Sequence, residues 1–312
     1  MACVNSVEPL TEPTRIILSF FNTAIALLAT LGNVSVCYVF LSNRSLRTRS
    51  NCYLISMAIT DLLVGTVLEP LFIAQFASKD LAQNCNLNAT RRFTTAVLTG
   101  ATMGTIALIS YDRFVHLSKT VHYNNYMGKT KVAVLIGITW VLPIVSTFLR
   151  YIGDKEIVYS ASIFVYALIM VAVTVVSYIS IFKIVRKTRN QIRKEVSSDV
   201  TEQRQTGRLQ RKSNTDGKVL KMVSIVVACF FIFIFPISIF HFIAASSKLL
   251  AKKDVASNQD QPDNQMVLLY SIAMTISMAN SIVNPCIYYF RLPEFRRAAR
   301  RTLDSRLVDS RH

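Results

Sequence analysis

Seven long apolar segments, separated by polar connections, follow one another along the chain. Each segment is close to the roughly 20 residues that an α-helix needs to cross a bilayer. Because backbone groups in lipid must be hydrogen-bonded within the protein, a helix is the expected form of each segment. The pattern therefore predicts an all-α membrane protein, a bundle of seven transmembrane helices. The segments cover approximately residues 16–41, 52–77, 93–111, 132–150, 157–183, 219–246 and 266–290.

The pattern changes after the seventh segment. Beyond Pro293, small and apolar residues recur at helical spacing with arginines between them, namely Phe295, Ala298, Ala299 and Leu303. This spacing predicts a short amphipathic eighth helix that lies on the anionic lipids of the inner leaflet. The predicted organisation is therefore an N-terminal segment over 1–15, a seven-helix domain over 16–290, and an amphipathic helix with a tail over 291–312.

Positively charged residues set the orientation of this bundle. Lys and Arg are concentrated in the connections between segments 1 and 2, 3 and 4, and 5 and 6, and in the tail. Cytoplasmic connections carry such an excess, so the N-terminal segment is predicted to be extracellular, in a multi-pass protein of the plasma membrane. The connection with the most Lys and Arg, over about 187–217, is then a cytoplasmic loop.

The net charge of +17 over 312 residues has the same explanation. The basic residues lie between apolar segments, so they indicate membrane topology, and no nucleic-acid partner is expected. The first 15 residues contain no basic region, and the apolar segment after them is too long for a signal peptide. The first helix is therefore predicted to act as its own insertion signal. None of the six cysteines has CxxC spacing, so no metal site of that type is predicted.

A carboxyl group stands in the middle of the second segment. Placing Asp61 at the centre of a bilayer costs about 2.5–3.5 kcal/mol on insertion scales, and acids in such positions are usually functional. Asp61 is either a protonated acid held by hydrogen bonds or a cation or proton site, and the second interpretation is favoured. Its candidate partners are polar residues of other segments: Asn33, Thr102, Asn280, Ser281 and Asn284.

Two further polar features lie near the cytoplasmic ends of segments. Asp112 and Arg113 end the third segment, where an arginine reaches water easily. On topology alone, a solvated helix end and a functional ion pair are equally good interpretations. Asn284-Pro285 lies near the end of the seventh segment, where the proline frees a backbone carbonyl. That position is either a static kink or a hinge.

The outer ends of the second and third segments also carry charge. Arg91 and Arg92 are solvated residues at a helix end or an anion site, and the first interpretation is slightly favoured. Glu69 either pairs with one of these arginines or meets a cationic ligand. Asn88-Ala89-Thr90 is a candidate glycosylation site on the extracellular side.

Several short motifs occur in a fixed order along the segments. They are Gly32-Asn33 with Val36, "SMAITD" ending in Asp61, "YDRF" at 111–114, Trp140, Tyr178, Pro236, "NPCIY" at 284–288 and Phe295. In this order and at this spacing, the chain resembles the rhodopsin-like (class A) G-protein-coupled receptors over about residues 15 to 303. The resemblance implies a receptor in which a ligand shifts the population between two helix packings.

The resemblance also implies roles for individual residues. In the resting state Arg113 pairs with Asp112 and Asp216, and on activation it turns toward Tyr178 and the C-terminal helix of the G protein. The implied switch residues are Asp112, Arg113, Tyr178, Asp216, Asn284, Pro285 and Tyr288. The implied sodium pocket comprises Asp61, Thr102, Asn280, Ser281 and Asn284. The ligand-pocket candidates, including the charged residues above, are Glu69, Arg91, Arg92, Thr95, Thr99, Ser162, Tyr166, Ile237, His241, Tyr270 and Met274.

The chain departs from the family pattern at several positions. Ile234 stands where the family usually has a tryptophan before the sixth-segment proline, and Met170 replaces the proline of the fifth segment. Asn88 replaces the usual cysteine of the third helix, so the customary disulfide is absent, although Cys3 and Cys85 could pair outside the cell. The missing fifth-segment proline, the missing disulfide and a very short connection between segments 4 and 5 give a weaker resemblance to the melanocortin, cannabinoid and lysophospholipid branch.

The sequence thus predicts a receptor that passes the binding of an extracellular ligand to a heterotrimeric G protein. The ligand is a lipid, a peptide or another small messenger, and the sole expected ion is an allosteric sodium. Because Ile234 replaces the usual tryptophan, a receptor-like protein with altered or constitutive signalling is an alternative interpretation. A seven-span transporter that uses Asp61 is disfavoured because no inverted repeat is evident. No HExxH, GxSxG or paired-carboxylate arrangement occurs, so an enzyme is excluded.

Overall fold

The computed structural model describes residues 10–119, 123–149, 156–195, 221, 223–240 and 264–309. All regular structure in these ranges is helical, and seven of the helices are long and apolar enough to cross a membrane. The predicted all-α bundle with seven spans is thereby confirmed.

The helices follow the predicted segments in order. The first two spans are α1 (Glu12–Ser42) and a continuous helical stretch made of α2 (Arg49–Leu63), a π-helical turn (Val64–Leu68) and α3 (Glu69–Ala77). The remaining helices are α4 (Lys79–Gln83), α5 (Cys85–Ser118), α6 (Tyr123–Tyr126), α7 (Lys129–Phe148), α8 (Glu156–Glu195), α9 (Val223–Phe240), α10 (Asn264–Arg291) and α11 (Pro293–Asp309).

Two helices are longer than the apolar pattern predicts. The third span begins at Cys85 instead of residue 93, because the Asn84 side chain accepts a hydrogen bond from the Leu87 amide at 3.0 Å and so caps the helix. The fifth span continues to Glu195 instead of residue 183. Lys, Arg and Gln are good helix formers, so a helix continues through them into water after the apolar run has ended.

The chain divides into two compact units. The first unit consists of Met1–Val36, Ala58–Ala96 and Val227–Cys286, and the second of Cys37–Met57, Val97–Val226 and Ile287–His312. Five helices, α1, α2, α5, α9 and α10, contribute residues to both units.

The π-helical turn in the second span lies in the first unit. At Gly65 this turn packs closely against α1. A Cβ added at Gly65 would lie 2.7 Å from Thr30 Oγ1 and 2.9 Å from the Ala26 carbonyl oxygen, so a larger residue does not fit there. A π-helical turn contains one extra residue, so the residues that follow face a different direction from the one they would have in a regular α-helix of the same sequence. After the rotation, Glu69, Phe72 and Phe76 are the buried residues of α3.

Close helix contacts in the second unit depend on two glycines of α5. A Cβ added at Gly104 would lie 2.7 Å from Thr139 of α7 and 2.5 Å from the Tyr166 hydroxyl of α8. Tyr166 donates a hydrogen bond to the Gly100 carbonyl oxygen at 2.9 Å. Gly100 and Gly104 form a GxxxG pair, the spacing that lets membrane helices approach closely.

The amphipathic helix predicted after the seventh span is α11. Its residues Phe295, Ala298 and Ala299 are buried. The Phe295 ring packs on Phe40 with 5.4 Å between ring centroids, and Asn43 Nδ2 donates to Thr302 Oγ1 at 3.0 Å. Helix α11 is therefore held against the end of α1 by its apolar residues, whereas the spacing alone predicts that these residues face the inner leaflet.

Candidate functional site

The Asp112 carboxylate is the centre of a polar cluster in the second unit. Its side chain is completely buried. Ser50 Oγ of α2 donates to Oδ2 at 3.0 Å, and the Tyr123 hydroxyl of α6 donates to Oδ1 at 2.6 Å. Both carboxylate oxygens thus have a hydroxyl partner in this buried position.

Arg113 is held more loosely than Asp112. Its Nη2 atom lies 3.6 Å from Asp112 Oδ2, and this is the one salt bridge among the described residues. Arg113 Nε is buried without a hydrogen-bond partner. At least one of the five N–H donors of this guanidinium is therefore unused in this state. An arginine with one long ion contact can change partner at little cost.

Tyr123 joins the short helix α6 to this cluster. Burial raises the pKa of Tyr123 from its ordinary value of 10.0 to about 12, and the hydrogen bond to Asp112 acts in the same direction. Its hydroxyl is therefore protonated and able to donate throughout the physiological range. His116 packs edge-on against its ring, with 5.0 Å between centroids.

The two tyrosines predicted to receive Arg113 are also in the second unit. Tyr288 is fully buried, and its hydroxyl donates to Met57 Sδ at 3.3 Å. The Tyr178 hydroxyl is buried as well. Asp216, the predicted second acidic partner of Arg113, lies outside the described residues.

Asp61 is the centre of a second polar cluster, in the first unit. It is 1% exposed, and Asn284 Nδ2 donates to its Oδ2 at 2.7 Å. Asn33 Nδ2 donates to the Ser281 carbonyl oxygen at 3.0 Å, which joins α1 to α10. A Cβ on the neighbouring Gly32 would lie 3.1 Å from the Pro285 ring, so the two helices are in close contact here.

Two amide oxygens of the same unit have unused binding capacity. Asn33 Oδ1 and Asn280 Oδ1 are buried without hydrogen-bond partners. Carboxylate and amide oxygens are the ligands preferred by hard cations, so the donor set fits an ion of this kind. Of the predicted sodium-pocket residues, Asp61, Asn280, Ser281 and Asn284 belong to this unit, whereas Thr102 belongs to the second.

The outer charged residues form a third cluster, also in the first unit. Arg91 is 7% exposed, and its Nη1 donates to the Tyr270 hydroxyl at 2.7 Å. Its guanidinium lies 5.8 Å from the centroid of the Phe72 ring and 5.5 Å from that of Tyr270. A cation at these distances is attracted to the ring faces. Phe240 packs against Tyr270, with 5.3 Å between centroids.

Glu69 lies in the same unit and is completely buried. Neither of its carboxyl oxygens has a hydrogen-bond partner, and the described residues contain no ion pair between Glu69 and Arg91 or Arg92. The sequence left two interpretations for Glu69, and the structure does not show the first of them, an ion pair with a neighbouring arginine. Arg92 is exposed.

The other predicted pocket residues are divided between the units. Thr95 donates to the Arg91 carbonyl oxygen at 2.8 Å, and Met274 is buried, both in the first unit. Ile237 is buried in the same unit. Thr99, Ser162 and Tyr166 belong to the second unit, and the Tyr166 hydroxyl is already used in helix packing. His241 lies outside the described residues.

The predicted extracellular modifications involve Asn88 and Cys85. Asn88 lies inside α5, where its Nδ2 donates to the Ala82 carbonyl oxygen at 2.8 Å and its Oδ1 accepts from Gln75. The amide nitrogen that would carry a glycan is thus already hydrogen-bonded. Cys85 is disulfide-bonded, and Cys3, its predicted partner, lies outside the described residues. The free cysteines among the described residues are Cys37, Cys52, Cys229 and Cys286.

Sequence reasoning missed three contributors to these clusters. Ser50 and Tyr123 lie in or beside connections, where no periodic pattern indicates which way a side chain points. In the sequence Phe72 is one of many apolar residues, and no sequence signature indicates the π-helical turn that orients its ring inward.

By contrast, the GxxxG spacing of Gly100 and Gly104 is a signal in the sequence for close helix packing.

Comparison with known proteins agrees with this geometry. The chain matches the sequence model of the family "7 transmembrane receptor (rhodopsin family)" over residues 32–157 and 152–288. It is 24% identical to "Rhodopsin, GQ-coupled" of Mizuhopecten yessoensis over 93% of this chain and 60% of that protein. It is 34% identical to the histamine H4 receptor of Homo sapiens over 46% of this chain and 36% of that protein.

A further relative and a solved structure extend this comparison. The adenosine receptor A2a of Cavia porcellus is 24% identical over 92% of this chain and 72% of that protein. The crystal structure of squid rhodopsin has the same fold, with a TM-score of 0.78 at 17% identity, over 96% of this chain and 88% of that chain. The chain thus spans 60% of the length of the scallop rhodopsin and 36% of that of the histamine receptor.

Proposed function

Because the chain belongs to the rhodopsin family of seven-transmembrane receptors, we propose that it transmits the binding of an extracellular ligand to a heterotrimeric G protein. It is a multi-pass membrane protein and a receptor, not an enzyme. The observation that carries the proposal is the buried Asp112 carboxylate, which is fully engaged by hydroxyl groups beside the loosely held Arg113.

The geometry supports a switch in which Arg113 changes partner. In the resting state its guanidinium lies beside Asp112, 3.6 Å from the nearest carboxylate oxygen. In the active state its guanidinium turns toward Tyr178 and the G protein, and Tyr288 leaves its contact with Met57 to join them. To move such an equilibrium from 1:99 to 99:1, a ligand must favour the active packing by about 5.5 kcal/mol.

Substitution of the switch arginine tests this proposal. We expect Arg113→Ala to lower G-protein activation at least about tenfold, because the group that faces the G protein is removed. We expect Asp112→Asn to raise basal activation, because a neutral amide attracts the guanidinium less strongly. Nucleotide exchange on purified G protein, added to the full chain in lipid nanodiscs, measures both effects.

A matched control uses Arg49, whose Nη1 donates to the Met127 carbonyl oxygen in the same unit. Arg49→Ala removes a positive charge and a polar contact without touching Asp112 or Arg113. If all three variants reach the cell surface and activate the G protein to the same extent as the parent chain, the switch is wrong.

The basal activity of the unmodified chain separates two forms of the proposal. Ile234 replaces the tryptophan that the family usually has before Pro236, and Ile237 is the buried neighbour on that helix. A receptor-like protein with altered or constitutive signalling is therefore our second candidate. High exchange without ligand that agonist screening does not raise would favour it.

The residues of the predicted pocket exclude two classes of ligand. Two relatives are named as a histamine receptor and a rhodopsin. Here Thr95 stands where the family resemblance places the aspartate that binds an amine, and no lysine follows Lys253 to form a Schiff base with retinal. We therefore propose a lipid, a peptide or another small messenger as the ligand. The weaker resemblance to the melanocortin, cannabinoid and lysophospholipid branch is in line with this proposal, and competition binding with acidic lipids tests it.

The residues around Asp61 support the proposal that the chain binds one sodium ion. The residues that would hold it are Asp61, Asn280, Ser281 and Asn284, with Thr102 as the contribution implied by the family resemblance. The orphaned oxygen of Asn280 and the Asp61 carboxylate supply oxygen ligands of the kind that sodium prefers. Bound sodium would neutralise a buried charge and stabilise the packing of α10 against its neighbours. The same ionisable group is what a transporter would need, and sodium uptake into vesicles distinguishes that alternative.

We place the receptor in the plasma membrane with residues 1–15 outside and residues 291–312 inside. The excess of Lys and Arg on one side supports this orientation, and the basic residues of α11 favour anionic inner-leaflet lipids. An antibody against an N-terminal epitope should bind intact cells, and one against the C-terminus should bind only permeabilised cells.

A further inference from the structure

Glu69 and Arg91 are oppositely charged residues of the first unit that are both more than nine-tenths buried. Glu69 is 0% and Arg91 is 7% exposed, and the described residues contain no ion pair between them. Both Glu69 oxygens and Arg91 Nε are buried without hydrogen-bond partners. Buried polar groups are normally hydrogen-bonded, so a carboxyl group and a guanidinium with unused binding capacity indicate a site that a third component completes.

The orientation of the Arg91 guanidinium defines which ligand group it accepts. Nη1 is occupied by the Tyr270 hydroxyl at 2.7 Å. The Nε and Nη2 atoms form the opposite edge, whose parallel N–H groups match the two oxygens of a carboxylate. The Phe72 and Tyr270 rings, 5.8 Å and 5.5 Å from the guanidinium, hold it in place from the sides. Arg91 is thus positioned to bind an anionic group through its Nε edge.

Glu69 defines a second requirement. Its carboxyl group can accept several hydrogen bonds, and the protein supplies none among the described residues. Glu69 follows directly after the π-helical turn, and Phe72 is three residues further along the same helix. Residues three apart lie on one helix face, with about 5–6 Å between their Cβ atoms. Glu69 therefore lies on one side of Phe72, and Arg91 lies over the Phe72 ring.

We propose that Glu69 and Arg91 together bind a zwitterionic ligand, with an ammonium group on Glu69, a carboxylate on Arg91 and an apolar portion against Phe72 and Tyr270. This inference rests on the proposed receptor function and names the chemical class of its ligand. A purely anionic ligand would leave Glu69 without a partner, and a purely cationic ligand would leave Arg91 without one. A ligand that carries both charges satisfies both residues, and each interaction is strengthened because the site is removed from water.

Probes of matched length test the inference. The purified full chain in nanodiscs is titrated with ω-amino acids from β-alanine to 8-aminooctanoate, and with alkyl carboxylates and alkylamines of the same lengths. Apparent affinity is read from the rise in Tm with probe concentration. We expect one length of ω-amino acid to bind at least about tenfold more tightly than the matched carboxylate or amine, because each charged hydrogen bond contributes that much.

Three variants assign the two charges. Glu69→Gln should remove the preference for the ω-amino acid over the carboxylate, and Arg91→Gln should remove the preference over the amine. Arg15→Gln is the matched control, because Arg15 belongs to the same unit and its Nε donates to the Phe76 carbonyl oxygen, and both preferences should persist. The comparison of probes on the unmodified chain is decisive even if a variant does not fold.

Two outcomes overturn the inference. One is a carboxylate or an amine that binds the unmodified chain as tightly as the ω-amino acid of equal length, which would mean that Arg91 or Glu69 alone binds the probe. The other is the absence of any Tm shift with every probe. If either occurs while Arg113→Ala still lowers G-protein activation, the receptor function stands and only the ligand class is wrong.

Discussion

The Tyr123 hydroxyl makes the shortest of the three contacts to the Asp112 carboxylate. It lies 2.6 Å away, compared with 3.0 Å for Ser50 Oγ and 3.6 Å for Arg113 Nη2. The two hydroxyls, and not the arginine, therefore hold the carboxylate in place. This division of roles leaves the guanidinium free to move while the buried charge of Asp112 stays satisfied.

Removing the Tyr123 hydroxyl should weaken this arrangement. We expect Tyr123→Phe to lower the free energy of unfolding by about 1.5–3 kcal/mol, the contribution of a hydrogen bond to a charged group. Basal G-protein activation should rise, because α6 loses its attachment to Asp112. Thermal unfolding and nucleotide exchange measure the two effects.

The control and the pH dependence of this effect follow from the same group. Tyr126→Phe removes a hydroxyl from the exposed tyrosine of α6 and should change neither quantity. The pKa of Tyr123 is raised from 10.0 to about 12, so its contribution to stability is complete below about pH 10 and is lost as the pH rises through about 12. The difference in stability between the parent chain and Tyr123→Phe should therefore be the same at pH 7 and pH 9. A difference that disappears at pH 9 would contradict the proposed hydrogen bond.

At the scale of the helices, close packing depends on residues that lack a side chain. Gly104 of α5 allows Thr139 of α7 and Tyr166 of α8 to approach the α5 backbone. The open position of Gly137 in α7, where an added Cβ would meet nothing within 4 Å, provides a comparison within one unit. The same substitution should thus have opposite effects at the two glycines.

We expect Gly104→Ala to destabilise the receptor by about 1–3 kcal/mol, because the new methyl group would lie 2.5 Å from the Tyr166 hydroxyl and 2.7 Å from Thr139 Cβ. Gly137→Ala should instead stabilise it by about 0.5–1 kcal/mol through helix propensity alone. Thermal denaturation of both variants in the same nanodiscs measures the difference. Equal Tm values would show that α5 does not approach the other helices so closely.

The sequence predicts the helices better than the contacts between them. Bilayer thickness fixes segment length, so all seven spans could be found from apolar runs. The hydrogen bond from Asn284 to Asp61 joins residues 223 positions apart, and helical phase alone does not show that they meet. The burial of Glu69 depends on a π-helical turn that no residue pattern indicates. The partners of Asp112 lie at segment ends, where side-chain direction has no periodic signal.

At the scale of the whole molecule, three polar clusters divide between the two units. The Asp61 and Glu69–Arg91 clusters belong to the first unit, and the Asp112–Arg113 cluster belongs to the second. Each cluster contains a buried acid with different hydrogen-bond partners. Asp61 accepts from an amide, Asp112 accepts from two hydroxyl groups, and Glu69 has no partner among the described residues. An ion or ligand that binds an incompletely satisfied acid therefore stabilises the folded receptor as a whole.

Sodium should act in this way through Asp61. We expect NaCl to raise the Tm of the receptor above its value in the same concentration of N-methyl-D-glucamine chloride, because a bound cation stabilises the folded state by mass action. Asp61→Asn should abolish that difference. Asp80→Asn serves as the control, because Asp80 is exposed, and it should leave the sodium effect intact. A sodium effect of equal size in Asp61→Asn would show that the ion binds elsewhere.

The π-helical turn over Val64–Leu68 has a consequence for how this receptor is compared with its relatives. A relative whose second helix is regular has one residue fewer between the equivalents of Asp61 and Phe72. An alignment without a gap at the turn would then match Glu69 to a residue on the lipid-facing side. If the turn became regular α-helix without the loss of a residue, α3 would rotate by about 100° and different side chains would face inward. The inward position of the outer cluster therefore depends on one extra residue in the turn, and a substitution that straightens the turn would change it with every side chain of that cluster retained.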